Sequence, residues 1–203
     1  RMTLCAASIT VELREVFLRD KPEEMLQLSA KGTVPVLAFD EMVLEQSLDI
    51  MYWALKKNDP HDWLNSEGGN LNEMRDLIEK VDKDFKFHLD RYKYTQRYGN
   101  VDTILHRTEG LKFLEVLNER LKKYNYLFSS KPTLADYAIV PFVRQFANTD
   151  RVWFDSQNYR SLHKWLNVLL NSEIFIEIMK KQPLWHVSAK PIICHDKLSN
   201  KST

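Results

Sequence analysis

Two short segments in the first quarter of the chain have residue types and spacing suited to binding an anionic ligand. Val34-Pro35 lies inside a short apolar run, and Gln46-Ser47 comes directly before a strongly apolar helical pattern. Proline cannot donate to a sheet ladder, so inside a strand it marks an edge or a special backbone site. A helix N-terminus offers free backbone N–H groups and the positive end of the helix dipole to a carboxylate. The residues alone also allow plainer interpretations: Ser47 as a helix cap, Gln46 as polar surface, and a trans bond before Pro35.

Three further places carry groups that could take part in chemistry. Lys31 precedes the strand and could pair with a carboxylate, although a lone loop lysine is usually solvated. A basic and aromatic cluster ends a long helical pattern and comprises Arg91, Tyr92, Lys93, Tyr94, Arg97 and Tyr98. Such a cluster suits a flat electrophilic or anionic partner, or it is an ordinary helix end with cations in its last turn. Cys5 falls in an apolar helical stretch and is expected to be a buried structural thiol.

Composition and charge narrow the possible classes of protein. The chain has 203 residues, enough for one large domain or two small ones, and a net charge of +1, so no global charge recruits nucleic acid or an anionic membrane. No apolar run approaches the roughly 18–20 residues of a membrane span. The two cysteines lie far apart, which argues against a disulfide framework and favours a reducing cytoplasm. The histidines show no paired ligand spacing, so we expect no metal.

The elements that must position these residues differ between the two parts of the chain. Residues 1–58 read as a small α/β unit with strands at 10–16, 34–39 and 42–44 and a helix at 46–57. Residues 1–7 resemble the second half of a helix with no cap before it, so we expect this unit to begin upstream of Arg1.

The remainder reads as helical. A polar linker at 59–70 precedes helical patterns at about 71–91, 102–123, 134–148 and 161–181, the last with a break near residue 172. Thr133 and Asp136 fit the reciprocal capping arrangement at the start of the third of these helices. We expect an all-helical domain over residues 71–187 and a loosely held polar tail over 188–203.

Three of these features together resemble the glutathione transferase superfamily. The segment Gly32-Thr33-Val34-Pro35-Val36-Leu37 is similar to the family's VPVL strand, and Gln46-Ser47 to its third-helix start. The box from Thr133 to Asp136 is similar to the N-capping box of the buried helix in the family's C-terminal domain. The order and spacing of the three match over roughly residues 1–185. The amino-acid sequence of the helix after Ser47 resembles that of bacterial-type cytosolic members. The resemblance implies an α/β thioredoxin-like N-terminal domain, with its first strand absent from the given chain, followed by an all-α helical-bundle domain.

The resemblance also implies a glutathione site. Gln46 and Ser47 would bind the γ-glutamyl end, and the backbone of Val34 would pair with the cysteinyl backbone beside a cis-proline at Pro35. Lys31 would pair with the glycyl carboxylate. The second-substrate pocket would include Arg91, Tyr92 and Tyr94. The Tyr, Ser or Cys that stabilises the thiolate in this family would precede Arg1, and Cys5 lies past that position.

Two functions follow from the resemblance. The first is a glutathione-dependent transferase that uses the glutathione thiolate on electrophiles or mixed disulfides, with glutathione as co-substrate and no metal. The alternative is a non-catalytic binding module on the same fold, similar to the stringent-starvation-type partners of RNA polymerase. The resemblance also implies a homodimer. The cysteines favour a cytoplasmic protein, and the charge and composition favour one that binds neither nucleic acid nor membrane.

Overall fold

The computed structural model describes residues 1–194 and divides into two compact units. The first unit combines Arg1–His61 with the described chain from Glu173 to Cys194, and the second is Asp62–Ser172. The first unit contains both helices and strands, whereas the described elements of the second are all helical. The predicted combination of an α/β part and an all-helical part is therefore confirmed.

The helices and strands of the described residues are numbered in chain order. They are α1 (Met2–Ala6), β1 (Val11–Leu13), α2 (Glu23–Leu28), β2 (Leu37–Phe39), β3 (Met42–Leu44), α3 (Ser47–Lys57), α4 (Leu71–Lys80), α5 (Lys86–Lys93), α6 (Thr103–Leu121), α7 (Leu134–Ala147), α8 (Arg151–Ser156), α9 (Arg160–Leu170), α10 (Glu173–Ile178) and β4 (Ile192–Cys194). A π-helical segment, Val81–Phe85, joins α4 to α5, and a short 3-10 helix, Thr95–Arg97, follows α5.

A β-hairpin leads the chain into α3. Strands β2 and β3 pair antiparallel, with Phe39 opposite Met42, and Asp40 in the turn adopts a φ of 48°. The ring centroid of Phe39 lies 4.5 Å from that of Trp53, so the hairpin packs on the helix that follows it. The hairpin was predicted, but β2 begins at Leu37, two residues after Pro35, which has no N–H to donate to a sheet ladder.

The end of the described chain belongs to the first unit, contrary to the predicted domain ranges. Strand β4 pairs antiparallel with β1, and the N–H of Trp185 donates to the carbonyl of Glu15 at 2.8 Å. Helix α10 packs against α1, where the apolar side chain of Ile174 is buried. Residues 173–187, which we had assigned to the helical domain, therefore pack with the α/β unit. In the predicted polar tail, residues 192–194 form a strand and residues 195–203 lie outside the described residues.

The second unit is built around α7. This helix is buried along most of its length, with Ile139, Val140, Val143 and Phe146 at 0% exposure, so it is apolar on nearly every side. Around it pack α4, α5, α8 and α9. The predicted helix at 71–91 is present as α4, the π-helical segment and α5, whereas the short helix α8 was not predicted.

The predicted linker, residues 59–70, is attached to the helical unit at Trp63 and Gly68, although most of its residues are exposed or half-buried. Trp63 is 3% exposed and its ring stacks on Tyr137 with a centroid separation of 3.8 Å. The N–H of Leu134 donates to the carbonyl of Trp63, and the N–H of Gly68 donates to the carbonyl of Phe128, both at 2.8 Å. Burial of a large aromatic ring stabilises the fold, and the ring of Trp63 thereby holds this segment on the helical unit.

Candidate functional site

The start of α3 has an uncapped N-terminus. Gln46 is the N-cap residue in an extended conformation, and its side chain makes no capping hydrogen bond. Ser47 begins the helix, and both side chains are exposed. The first intrahelical bond runs from the N–H of Ile50 to the carbonyl of Gln46 at 3.1 Å. Neither side chain therefore caps the helix. The N–H groups of the first turn have no side-chain partner and could bind an anion.

The Val34–Pro35 segment lies before β2. The Val34–Pro35 peptide is cis, which is the isomer that the resemblance implied. The side chain of Val34 is 48% exposed. Within residues 1–194, no backbone hydrogen bond outside the regular elements involves Val34. Its N–H and C=O are consequently available to pair with an extended ligand backbone.

Lys31 is held in a small network that links the loop before β2 to the approach of α3. Its ammonium lies 3.5 Å from a carboxylate oxygen of Glu45. The hydroxyl of Ser29, a residue that is 1% exposed, donates to the other carboxylate oxygen at 2.5 Å. The hydrogen bond from Ser29, and then the charge of Lys31, lower the pKa of the Glu45 carboxyl. Glu45 is therefore charged at neutral pH and orients the lysine.

A glycine sets the turn that carries Lys31. Gly32 has a φ of +56°, and its N–H donates to the carbonyl of Ser29 at 2.9 Å. A Cβ at this position would lie 3.0 Å from Cδ2 of Leu26. Both the left-handed backbone and the close neighbour therefore favour glycine here.

The residues predicted for the second substrate do not share one environment. Tyr92 is 5% exposed, so its ring lies in the core of the helical unit, 5.0 Å from Phe146 by ring centroids. Arg91 and Tyr94 are half-buried, and Arg91 stacks between Phe87 and an aromatic neighbour further along the chain. Tyr92 thus supports the fold and does not face a ligand from this unit's surface. The sequence pattern missed this because residues 91–94 follow one another within a single helical turn.

The helical unit also has an open cavity of about 670 Å³ at another place. It lies along α6 and is lined by both charges, including Lys112, Glu115 and Arg120. It includes none of the three residues predicted for the second substrate. This cavity is therefore not the pocket that was predicted for the second substrate.

Thr133 and Asp136 form the expected capping box at the start of α7. One carboxylate oxygen of Asp136 accepts from the N–H and from the hydroxyl of Thr133, each at 2.8 Å. The other oxygen accepts from the N–H of Leu127 at 2.9 Å and from Nε1 of Trp165 at 2.7 Å. Burial raises the pKa of the Asp136 carboxyl, although all four donors favour its charged form. The two distant donors were not foreseen, because no local spacing links residues 127 and 165 to residue 136.

Residues 1–194 contain no group of three or more His, Cys, Asp or Glu side chains arranged to hold a metal ion. None of their helices is long and apolar enough to cross a membrane. Cys5 and Cys194 are not joined in a disulfide, and Cys5 is half-buried, whereas we had expected a buried thiol.

Two family models match the chain. The glutathione S-transferase N-terminal domain matches residues 1–62, and the glutathione S-transferase C-terminal domain matches residues 76–167. These ranges agree with the two structural units up to residue 172. The chain belongs to the glutathione S-transferase superfamily, and its first unit is the thioredoxin-like domain of that fold.

Solved structures show the same fold at low sequence identity. Glutathione transferase F1 from poplar superposes with a TM-score of 0.72 at 16% identity, over 87% of this chain and 88% of that one. Glutathione transferase URE2P6 from Phanerochaete chrysosporium, in complex with oxidized glutathione, gives 0.73 at 18% identity over 87% and 86%. A glutathione S-transferase of class Gtt2 from Vibrio parahaemolyticus gives 0.68 at 18% over 86% and 87%. No curated protein sequence is significantly similar to this chain.

Proposed function

We propose that this protein binds glutathione on its α/β unit and transfers the glutathione thiolate to electrophiles or mixed disulfides. The observation that carries the proposal is the uncapped start of α3, where exposed Gln46 and Ser47 leave the first-turn N–H groups without side-chain caps. A glutathione molecule carries two carboxylates, and a helix N-terminus is favourable for one of them. Membership of the glutathione S-transferase family supports glutathione as that ligand.

In this proposal the γ-glutamyl carboxylate binds at the start of α3. The amide side chain of Gln46 and the hydroxyl of Ser47 add donors to those of the helix backbone. Hydrogen bonds to a charged group contribute about 1.5–3 kcal/mol each, so these few contacts can supply much of the affinity for a tripeptide.

The rest of the tripeptide extends along the segment before β2. The backbone N–H and C=O of Val34 pair with the cysteinyl residue in the manner of an added strand. The ammonium of Lys31 can donate three hydrogen bonds, and one carboxylate oxygen of Glu45 lies 3.5 Å from it. The ammonium can therefore also donate to the glycyl carboxylate.

The thiol must ionise before it attacks. A free thiol has a pKa near 8.5, and a hydrogen-bond donor at a helix N-terminus lowers it. We propose that the donor is a Tyr, Ser or Cys, as in the family. A cysteine in this role would favour thiol transfer, whereas serine or tyrosine would favour conjugation to an electrophile. We also propose a cytoplasmic homodimer.

Turnover of two acceptors tests the proposal and separates it from a non-catalytic binding module. The protein with its natural N-terminus is assayed with reduced glutathione and either an aryl chloride activated by nitro groups or a mixed disulfide of glutathione. The proposal predicts saturable, glutathione-dependent turnover of at least one acceptor. Binding of glutathione without turnover of either would favour the binding module, and absence of both binding and turnover would overturn glutathione chemistry altogether.

A further inference from the structure

A carboxylate lies at the entry to α3, between the hairpin and the start of the helix. Glu45 follows the last residue of β3 and precedes the N-cap residue Gln46. One of its carboxylate oxygens accepts from the hydroxyl of Ser29 at 2.5 Å, and the other lies 3.5 Å from the ammonium of Lys31. Glu45 is therefore the acidic neighbour of the lysine that the proposed function assigns to the glycyl carboxylate.

Ser29 holds this carboxylate from a fixed position. Ser29 is 1% exposed and is the C-cap residue of α2. Its N–H donates to the carbonyl of Met25, and its own carbonyl accepts from the N–H of Gly32, both at 2.9 Å. Because both backbone groups of the serine are bonded, its hydroxyl donates from a well-defined place. The carboxylate of Glu45 is thus held beside Lys31.

The carboxylate of Glu45 carries its charge at neutral pH. The hydrogen bond from Ser29, and then the charge of Lys31, lower the pKa of the Glu45 carboxyl. The Glu45 side chain is 28% exposed and that of Lys31 is 61% exposed, so the acid is the more firmly held of the two partners. The unit charges of Glu45 and Lys31 therefore sum to zero at this end of the site.

A ligand carboxylate that approaches Lys31 meets both charges. The ammonium attracts it, and the Glu45 carboxylate beside that ammonium repels it. Water and salt weaken what remains of the attraction, because the lysine is exposed. The net gain from a negative charge at the glycyl end is consequently small, whereas the contacts proposed for the rest of the tripeptide do not involve Glu45.

A second lysine borders the same turn. The ammonium of Lys21 lies 3.6 Å from the position that a Cβ on Gly32 would take. Among the ion pairs of residues 1–194, none includes Lys21. Lys21 is thus another cation that a glycyl carboxylate could reach, and its contribution has to be measured separately from that of Lys31.

We propose that Glu45 makes the glutathione site nearly indifferent to charge at the glycyl end of its ligand. The site then accepts γ-glutamylcysteinyl peptides whose C-terminal carboxylate is amidated about as well as it accepts glutathione itself. This inference rests on the proposed function, since it concerns the ligand range of the same site. Glu45 is in this account a specificity-determining residue, which acts by offsetting the charge of Lys31.

Calorimetric titration with two matched ligands tests this inference. The ligands are reduced glutathione and its glycinamide analogue, in which a carboxamide replaces only the glycyl carboxylate. For the protein with its natural N-terminus, we expect the two affinities to lie within about twofold of each other. Glu45→Gln removes the repulsive charge, so the variant should bind glutathione about fivefold more tightly than the amide, close to the most that an exposed ion pair contributes.

Two further variants locate the effect at the charge of Glu45. Glu45→Ala should give the same preference for glutathione as Glu45→Gln, since both variants lose the carboxylate. Glu41→Gln removes an equal charge from the exposed hairpin turn and should leave the two affinities within about twofold. An unchanged affinity ratio in Glu45→Gln, or an equal change in Glu41→Gln, would overturn the inference.

The wild-type titrations separate this inference from the proposed function. If the wild type binds neither ligand, both fail. A wild-type preference for glutathione of about fivefold or more would overturn the inference and leave glutathione binding intact. Loss of that preference in Lys21→Gln would then assign the glycyl carboxylate to Lys21, away from the charge of Glu45.

Discussion

The hydrogen-bond network of Asp136 allows a quantitative prediction about the stability of the helical unit. Asp136→Ala removes an acceptor that four donors use: two on Thr133, the N–H of Leu127 and Nε1 of Trp165. Asp136 itself is 0% exposed, and Thr133, Leu127 and Trp165 are each at most 1% exposed. The donors would therefore be left in a site that water reaches poorly.

The expected loss follows from those donors. An unsatisfied buried donor costs about 1–3 kcal/mol, so four of them at the lower end of the range give a loss of about 4 kcal/mol. That is a large part of the roughly 5–15 kcal/mol that stabilises a typical domain. Asp136→Asn retains one oxygen for two donors, and the hydroxyl of Thr133 can rotate to accept from the new amide. The asparagine variant should therefore lose about 2 kcal/mol.

Urea denaturation followed by tryptophan fluorescence measures both losses. Trp165 is itself bonded to Asp136, so its emission reports the unit in question. The matched control is Asp155→Ala, which removes an exposed helical aspartate paired only with Arg151 and should change the free energy of unfolding by less than about 1 kcal/mol. A loss below about 1 kcal/mol for Asp136→Ala, or a smaller loss for alanine than for asparagine, would refute the reasoning.

Three further predictions concern other parts of the fold. Gly110→Ala places a Cβ 2.5 Å from the ring of Phe146, so overpacking should lower the free energy of unfolding by about 1–3 kcal/mol, and an unchanged urea midpoint would contradict this. Gly32→Ala places a side chain on a backbone with φ +56°, so the free energy of unfolding measured in urea should fall by about 1 kcal/mol. Gly99→Ala is the control that separates backbone strain from crowding, because Gly99 also has a positive φ but has open space around it. Burial, and then the charge of His106, lower the pKa of His88, so the unfolded chain takes up this proton first as the pH falls. The free energy of unfolding should therefore decrease below about pH 6.5, and His88→Gln should flatten the profile; a parallel profile would contradict this account.

Local sequence signals were sufficient for the elements that carry the candidate site. The alternation of the hairpin strands and the apolar stripe after Ser47 predicted β2, β3 and α3, because both patterns reflect burial on one face. The capping box at Thr133 was predicted for a different local reason: its two partners lie only three residues apart. Such features depend on neighbours within one or two turns.

Features set by distant partners were not accessible in this way. Residues 192–194 looked like part of a polar tail, yet they pair with β1, about 180 positions earlier in the chain. The link from Ser29 to Glu45 spans 16 residues and has no periodic signature. Tyr92 was grouped with its surface neighbours, although the helix turns it into the core. Each of these depends on tertiary packing, which a single sequence does not specify locally.

The affinity for reduced glutathione tests the central claim most directly. Calorimetry on the protein with its natural N-terminus would compare the wild type with Gln46→Ala and with the control Gln96→Ala, an exposed glutamine in the helical unit. We predict saturable binding that Gln46→Ala weakens by about tenfold, since it loses a hydrogen bond to a charged carboxylate, and that Gln96→Ala leaves unchanged. No binding at millimolar glutathione, or equal affinities for the two variants, would contradict a glutathione site at the start of α3.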